Sequence, residues 1–491
     1  MNLKNRSFNA GNVHKRQLKT LTVSAITLVV LSACQLAPEQ NKLALPVPDA
    51  YASGTNQAQV TPLKWQEFFN DKSLQALIAQ SLEHNKNLQI AMLNVQRVRG
   101  LYQIEDSALY PSLDFNSSGT RQRLPADLSA GNKATISSQY GATVGITSYE
   151  LDIWGKVGNQ SAQALQTLYS TELSQYSTQV TLVAELANAW LNYAADQQLL
   201  TLSRETLNSQ QESLSLTQKS FDLGAASKLT LEQLKSTVAT AKIDIAKIDI
   251  AKYKRLLKRD KNALDLLVGK PVASDFLPSK SLNSLLTLPE IPVGLPSDLL
   301  TQRPDIKAAE HQLLAANANI GIARAAFYPS ISLTANAGSA SSDLNSLFDS
   351  GSGSWSFVPS IRLPIFNMGR NQAGLDVAKA EQAIALVTYQ QKIQQAFREV
   401  ADILADREGY QAQLTALDML LQSRQSTFDL SQARYNKGVD SYLQVLDAQR
   451  TWYNAQQQNI MGQQALLASQ ISLYKVVGGG WEQSAKTGQP E

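Results

Sequence analysis

The sequence is poor in residues that cross-link a chain or bind metals. Its 491 residues include one cysteine, Cys34, and three histidines, so an intrachain disulfide is excluded. His84 and His311 follow Glu83 and Glu310, but neither has a second histidine or cysteine at ligand spacing. We interpret them as solvated helix residues. Without a Gly-x-Ser-x-Gly elbow or a Gly-x-x-x-x-Gly-Lys-Ser/Thr run, the sequence does not predict an enzyme or a nucleotide-binding protein.

The chain also lacks a strong charge imbalance and, after residue 34, a long apolar run. Removing residues 1–33 takes away five basic residues and no acidic ones, which leaves 39 basic and 41 acidic side chains and a net charge of −2. A nucleic-acid partner would need a basic face, so we expect none. No later segment approaches the ~18 apolar residues of a transmembrane helix.

The amino terminus indicates export from the cytoplasm. Basic residues precede an apolar run at residues 21–31, and Leu31-Ser32-Ala33-Cys34 follows. This pattern is typical of a bacterial secretory signal, and its end resembles a lipobox, in which the cysteine receives a diacylglycerol. We therefore predict a signal peptide over 1–33 and a covalent lipid on Cys34, with no other cofactor; the alternative is a free thiol. Gln35, rather than aspartate, favours the outer membrane.

Proline is absent from two long stretches, 126–270 and 365–489. Because proline breaks helix interiors, its absence permits long helices, and the abundant Ala, Gln, Leu, Glu and Lys favour them. The sequence predicts helices over 158–222 and 371–436, each roughly 100 Å long at ~1.5 Å per residue. Apolar residues recur there at alternating three- and four-residue steps, as in coiled coils: Val180, Val183, Ala187, Trp190, and Ile393, Phe397, Val400, Leu404.

Each long helix is followed by a turn and a shorter return arm. The arms are predicted over about 230–267 and 441–477, and Gly224 and Gly438 mark the turns, where a left-handed cap is favoured. A helix of such length cannot be buried in a globule. We therefore expect the turns to project at the far end of a rod.

The whole pattern occurs twice. Ala-Leu-Tyr-Pro-Ser-Leu at 108–113 returns as Ala-Phe-Tyr-Pro-Ser-Ile at 326–331, and each copy precedes a long helix, a turn and a return arm. A period above 200 residues is a tandem duplication, not a solenoid repeat. The predicted organisation is a signal (1–33), an N-terminal segment (34–107), a first repeat (108–271), a linker (272–300), a second repeat (301–480) and a tail (481–491).

Four short segments alternate apolar and polar residues, near 111–120, 138–150, 331–337 and 356–363. Segments of about ten such residues match transmembrane β-strands. A soluble half-buried hairpin would look similar, but the lipid anchor favours the membrane. Four strands cannot close a membrane barrel, and open edges in hydrocarbon cost several kcal/mol per unpaired group. The sheet must therefore close by oligomerisation; two chains would give eight strands and three would give twelve.

Several motifs together resemble the outer-membrane factor family, in particular its lipoprotein branch, the OprM type of TolC-like proteins. They cover the whole mature chain in the family's order: the Tyr-Pro-Ser repeats, Tyr149 to Gly155, Gly294 to Leu300, Arg303-Pro304-Asp305-Ile306, Leu446 to Arg450, and Gly478-Gly479-Gly480-Trp481.

The resemblance implies an α+β membrane protein that is a homotrimer. Its twelve-stranded β-barrel, with four strands per chain, would be continuous with a twelve-helix periplasmic tunnel, and the termini and residues 272–300 would form an equatorial belt. It also implies the exit duct of a tripartite multidrug efflux pump, with a periplasmic adaptor and an inner-membrane resistance-nodulation-division transporter as partners.

The resemblance further implies a gate at the helix tips. By match to the family, Leu443 and Asp447 would face the axis as an apolar and an acidic ring, and Arg434 and Tyr435 would lock the closed tip. Where the family has an acidic partner for this lock, the present chain has Thr230, which puts the lock in doubt. Glu232 is nearby but lies on another helix face.

The turn segments resemble the tips that meet the adaptor, with four candidate contact residues: Gly224, Ala225, Gly438 and Val439. The glycines could also serve as helix caps. Two alternatives to a multidrug duct remain at this stage. One is a lipid-anchored envelope rod without a pore, for which alternating strands would have no use. The other is a duct for metal ions or secreted proteins; five methionines and three histidines speak weakly against metal export.

Overall fold

The structure is a computed structural model that describes residues 36–38, 63–129, 131–224, 226–278, 281–282, 288–289, 303–479 and 481. The predicted signal peptide, Cys34, Ala225, most of the 272–300 linker and the tail after residue 481 lie outside these residues.

Helices and strands alternate in two similar halves. In chain order the elements are α1 Trp65–Phe68, α2 Lys72–His84, α3 Lys86–Ser107, β1 Asp114–Leu124, β2 Thr135–Glu150, α4 Lys156–Asp222, α5 Lys228–Ala241, a π-helix Lys242–Asp249, α6 Ile250–Val268, α7 Pro304–Ala325, β3 Ser330–Ser341, β4 Gly353–Arg362, α8 Arg370–Asn436 and α9 Tyr442–Val476. Short 3-10 turns lie at Ala126–Leu128, Ser274–Phe276 and Leu344–Ser346.

The predicted long helices are present with bounds within two residues of the expected ones. Helices α4 and α8 contain 67 residues each. The second return arm is one helix, α9, as expected, but the first is interrupted by eight residues of π-helix between α5 and α6. The sequence pattern did not predict this interruption. No helix among the described residues is long and apolar enough to cross a membrane.

The four strands form one antiparallel sheet in the order β1-β2-β3-β4. The register places apolar side chains in rows across it: Phe115 pairs with Val144, Val144 with Ala337, and Ala337 with Trp355. The next row is Ile146, Ala335 and Phe357. Since neighbouring residues in a strand point to opposite faces, the sheet has one apolar face, as the alternation predicted.

The opposite face of the sheet is mostly polar or small. Its rows include Asn116 with Thr143, and Asn336 with Ser356. A register shift in β2 between Ile146 and Tyr149 adds one residue to that strand, with Ser148 at φ 58°. This bulge keeps Tyr149 on the apolar face, because without the extra residue the alternation would turn it to the other side.

The chain divides into two compact units. Of the described residues, the first includes 36–38, those within 96–170, and 309–388, and it contains the sheet. In it, Trp154 stacks on Tyr328 with ring centroids 4.7 Å apart and donates a hydrogen bond to the Pro329 carbonyl. Tyr149 donates to the Leu109 carbonyl. Ring stacking and a hydrogen bond therefore hold Trp154, and a hydrogen bond to the segment before β1 holds Tyr149.

The second unit includes the described residues within 63–95, 171–308 and 389–481, and it contains both tip turns. Its core includes the predicted stripe on α4, where Val180, Val183, Ala187 and Trp190 are all buried. Trp190 donates to the Phe276 carbonyl at 3.0 Å, which joins α4 to the segment after α6. On α8, Ile393 and Val400 are buried, so the heptad stripe marks the packed face of both long helices.

Candidate functional site at the helix tips

The first tip is the turn between α4 and α5. Gly224 has φ 75°, and its amide donates to the Phe221 carbonyl at 2.9 Å. Ser227 then caps α5 by accepting a hydrogen bond from the Thr230 amide at 3.1 Å. Leu223 is 86% exposed although it is apolar. The glycine therefore supplies the left-handed cap that the sequence predicted.

The second tip, between α8 and α9, is a Schellman turn. Gly438 also has φ 75°. Its amide donates to the Tyr435 carbonyl, and the Val439 amide donates to the Arg434 carbonyl. This pair of bonds satisfies the last carbonyls of α8. Val439 is exposed, and no other group approaches within 4 Å of the place where a Cβ on Gly438 would lie. The two tips thus present open backbone and an apolar side chain each.

Arg434 pairs within its own turn. Its Nε and Nη2 donate to the two carboxylate oxygens of Asp440 at 2.5 and 3.0 Å. The hydrogen bonds from Arg434, together with its charge, outweigh desolvation and lower the pKa of Asp440 below its usual value. The sequence placed Arg434 in the gate but did not identify Asp440 as its partner.

Tyr435 packs where the second tip joins the helical core. Its ring meets that of Tyr442 edge to face, with centroids 4.9 Å apart. Tyr442 belongs to a buried cluster with Leu234, Val238, Val445 and Leu446. Burial is the main cause that raises the pKa of Tyr442. The cluster joins α5 to α9, so the two return arms are held together beside the tips.

Leu443 and Asp447 lie one turn apart on α9, on its exposed side and next to the cluster residue Leu446. Leu443 is 55% exposed, and the Asp447 carboxylate accepts a hydrogen bond from Arg450 at 2.8 Å. An exposed leucine and carboxylate at this spacing leave both side chains available to neighbouring molecules. This exposure is compatible with the predicted rings.

The departure at Thr230 has a local consequence. Its hydroxyl shares a hydrogen bond with Ser227 at 2.8 Å, so it reinforces the cap of α5. Glu232 forms an exposed ion pair with Lys235 at 3.1 Å. Neither residue is a partner of Arg434 in the described contacts of this chain.

Two polar groupings, one buried and one half-buried, lie away from the tips, and sequence reasoning did not identify either. Arg303 is 8% exposed and forms two bonds to Asp305, one to Glu399 at 2.8 Å and one to the Val476 carbonyl. The motif around Arg303 was noted only as part of the family resemblance. Its role is to tie α7, α8 and the end of α9 together.

The other grouping is a carboxyl pair between α4 and α6. Burial is the main cause that raises the pKa of Asp196 to about 7, helped by a hydrogen bond with Asp260 and by its charge, and opposed by Lys252. Burial also raises the pKa of Asp260. No sequence motif marks either residue, because each is one acid in a helix that contains several.

The two histidines lie in separate surroundings. His84 approaches Glu83 at 4.0 Å, whereas the Nδ1 of His311 shares a hydrogen bond with Gln166 at 2.6 Å and its ring lies near Tyr169. In the part of the chain that the structure describes, no group of three or more His, Cys, Asp or Glu residues could hold a metal ion.

Known proteins resemble this chain along most of its length. The profile of the family described as "Outer membrane efflux protein" matches residues 77–270 and 295–479. The "Probable efflux pump outer membrane protein TtgC" of Pseudomonas putida is 43% identical over 479 residues, which cover 96% of this chain and 98% of the relative. The "Cation efflux system protein CusC" of Escherichia coli O157:H7 is 39% identical over 463 residues, covering 93% and 97%.

A solved structure has the same fold. It is the open state of the MtrE outer membrane channel of Neisseria gonorrhoeae, which is 35% identical and superposes with a TM-score of 0.83 over 91% of this chain and 98% of that one. A chain with one four-stranded sheet and two long helices therefore has the fold of an outer-membrane channel protein. This chain belongs to the outer membrane efflux protein family.

The comparisons confirm the resemblance that the motifs indicated, together with the α+β membrane fold class and efflux across the outer membrane. Proteins of this family are outer-membrane efflux channels. The roles of individual residues at the tips stay predictions.

Proposed function

We propose that three copies of this chain assemble into the exit duct of a tripartite multidrug efflux pump. The observation that carries this proposal is the sheet, which has one apolar face and ends at β1 and β4 without a further strand among the described residues. Edge groups exposed to lipid would cost several kcal/mol each. Three sheets joined edge to edge remove those edges and give a twelve-stranded barrel.

The apolar face of the sheet then meets lipid. Phe115, Trp355, Phe357 and Ile361 are each at least 60% exposed in the single chain, which is the arrangement of side chains that face hydrocarbon. The polar face, with its serines, threonines and asparagines, lines the pore. In the same assembly the two long helices and two return arms of each chain give a twelve-helix tunnel.

The duct is passive, and its control lies at the tips. Leu443 and Asp447 form the narrow rings, and Arg434 and Tyr435 hold the second tip in its closed arrangement. The tip residues Gly224, Ala225, Gly438 and Val439 receive the periplasmic adaptor, and an inner-membrane resistance-nodulation-division transporter supplies the energy. A lipid on Cys34 anchors each chain in the outer membrane.

The cargo is a mixture of small organic compounds. Support comes from relatives whose names describe efflux of antibiotics and toluene at 43% identity. Metal ions are the second candidate, because CusC is named for cation efflux. The chain's five methionines and three histidines favour organic compounds over soft metals, which prefer those ligands.

Deletion of the gene tests the efflux function. We expect greater susceptibility to several antibiotics, restored by the parent gene and less well by Cys34→Ser or Asp447→Ala variants. Unchanged susceptibility to organic compounds, with new sensitivity to copper or silver salts, would favour metal export. A deletion strain that resists every compound as the parent does would contradict both.

Conductance in planar lipid bilayers tests the pore and its gate separately. The purified parent should form discrete channels, whereas an envelope rod would give none. Tyr435→Phe keeps the ring but removes the hydroxyl, so we expect a higher conductance if that hydroxyl helps to close the tip. No rise over the parent would remove Tyr435 from the gate.

A further inference from the structure

The first return arm contains five residues repeated in tandem. Ala-Lys-Ile-Asp-Ile at 241–245 is followed at once by Ala-Lys-Ile-Asp-Ile at 246–250. The second return arm has no such repeat, and it is shorter by the same amount. Forty residues separate Gly438 from Gly478, against 45 from Gly224 to Gly269. One copy of the pentapeptide therefore accounts for the difference between the two arms.

The π-helix absorbs this insertion. Five extra residues of α-helix turn the chain by roughly 500°, about 140° more than a full turn, and would rotate everything after them. A π-helix has i→i+5 hydrogen bonds and roughly 4.4 residues per turn, so eight π-helical residues wind about 145° less than eight α-helical ones. The packed face is thereby restored: Leu234 and Val238 before the segment and Tyr253 and Leu264 after it are all buried.

The same winding brings the two repeated aspartates together. In an α-helix Asp244 and Asp249 would lie about 140° apart around the axis, whereas i and i+5 residues of a π-helix lie within roughly 50°. Both line one groove of about 660 Å³ between α4, the π-helix and α9. Leu443 and Asp447 line it from the side of α9.

This groove, which we call the pentapeptide groove, carries excess negative charge. Three carboxylates line it (Asp244, Asp249 and Asp447), and Arg450 is the one cation in its lining. Asp249 is held in place by Tyr453, whose hydroxyl donates to it at 2.7 Å. The lining as described has a net charge of −2, which favours a cationic ligand.

A buried acceptor without a donor supplies independent evidence for a ligand. Gln210 lines the groove and is 5% exposed, and no donor among the described residues reaches its Oε1. A buried carbonyl oxygen left unpaired is costly, and such groups in native structures call for an explanation. A ligand N–H in the groove would satisfy it.

The remaining properties of the groove select the ligand class. No group of three or more metal-binding side chains exists in the described chain, so the acids are not arranged as a metal site. A volume of about 660 Å³ lies within the range of drug-sized sites. Leu443, Leu446 and Ile245 add an apolar wall.

We propose that the pentapeptide groove binds an amphiphilic organic cation. Its cationic group lies between Asp244 and Asp447, an amine N–H of the ligand donates to the Oε1 of Gln210, and its apolar body lies against Leu443 and Leu446. This inference rests on the proposed efflux function, because that function supplies the class of compounds that pass through the duct. It adds a binding site at which the chain itself selects among these compounds.

The test uses the purified full-length protein and ethidium as the probe, titrated by fluorescence anisotropy. Fluorescein, an anion of similar size, is the control ligand. We expect saturable binding of ethidium and none of fluorescein. Deletion of residues 246–250 should weaken ethidium binding about tenfold, and Asp244→Asn or Gln210→Leu about threefold each. Asp429→Asn, which removes an exposed carboxylate on α8 outside the groove, should bind like the parent.

The outcomes separate this inference from the proposed function. A parent protein that conducts in bilayers but does not bind ethidium, or binds fluorescein equally well, overturns the groove and leaves the duct intact. A parent protein that binds ethidium but forms no channel supports the groove and contradicts the duct. If the deletion variant does not fold, the two single variants decide, and parental affinity in both contradicts the proposal.

Discussion

Arg434 and Asp440 face each other across the second tip and form a two-bond ion pair, Nε to Oδ2 at 2.5 Å and Nη2 to Oδ1 at 3.0 Å. The pair spans the Schellman turn at Gly438, so it fixes the end of α8 against the start of α9. Within one chain, the guanidinium therefore has its anionic partner in its own turn. The rigidity of this tip is therefore a local property of seven residues.

We predict that Asp440→Asn loosens the second tip. Without the carboxylate, Arg434 loses both charge-assisted bonds, and the peptide bond after Lys437 becomes more accessible. Limited trypsin digestion followed by mass spectrometry should show cleavage at Lys437 several-fold faster than in the parent. Because exposed ion pairs are screened by salt, the parent at about 1 M NaCl should approach the variant.

Asp429→Asn is the matched control for this tip experiment, since it removes an exposed carboxylate from the same helix outside the turn. It should be cut at the parental rate. Equal cleavage of the Asp440→Asn variant and the parent would mean that the ion pair does not hold the turn.

Arg303 should be among the residues whose loss most destabilises the helical unit. Arg303→Met leaves the partly buried Asp305 and Glu399 without their shared cation, at a cost of about 2–3 kcal/mol. Arg303→Lys keeps the charge but not the forked geometry, and should lose about half as much. The melting temperature in detergent, followed by circular dichroism, measures both variants; Arg424→Met on exposed α8 surface should melt like the parent.

The same cluster has a defined pH dependence. Burial opposes ionisation of Asp305, but the hydrogen bonds and charge of Arg303 outweigh it and lower its pKa. Because the folded pKa lies below the unfolded value of about 3.9, this stabilisation is complete above pH ~4 and is lost as the pH falls through the folded pKa. A difference between parent and Arg303→Met that persists unchanged well below pH 3 would contradict this account.

The carboxyl pair of Asp196 and Asp260 predicts the opposite dependence. The pKa of Asp196 is raised to about 7, so the folded chain holds a proton that the unfolded chain releases near pH 3.9. The stabilisation of the fold by this protonated carboxyl is complete below pH ~3.9, declines as the pH rises and is gone above about 7. Asp196→Asn imitates the protonated form at every pH.

We therefore expect Asp196→Asn to match the parent at about pH 3.5 and to be more stable at about pH 8. After discounting for the half-exposed position, the gain should be about 1 kcal/mol. Melting curves at both pH values measure it, with Asp429→Asn as the exposed control. A variant that is less stable than the parent at pH 8 would show that the ionised pair is not strained.

Two neighbouring residues of β4 test the assignment of the sheet faces. Phe357 lies in an apolar row with Ala335, whereas Ser356 pairs with Asn336 on the polar face. Arginine at position 357 would face hydrocarbon, at a cost of about 2–4 kcal/mol near the membrane centre. Phe357→Arg should therefore reduce the amount of assembled protein in the outer membrane fraction, and Ser356→Arg should assemble and instead alter conductance. Equal assembly of both variants would contradict the facing.

Local patterns in the sequence were enough for much of this architecture. The lack of proline and the three-four apolar stripe predicted α4 and α8, and alternation predicted which residues share a face of the sheet. Gly224 and Gly438 marked the tips, because a residue with φ near 75° favours glycine. Each of these signals depends on residues close together in the chain.

Tertiary structure decided the features that depend on rotation about a helix or on distant pairing. The Ala-Lys-Ile-Asp-Ile repeat is visible in the sequence, but only the π-helical winding shows that Asp244 and Asp249 line one groove. Arg303 meets Glu399 across 96 residues, and Asp196 meets Asp260 from another helix. Helix periodicity fixes which face a residue occupies, whereas its partner is chosen by packing between helices, and that information is spread over the whole chain.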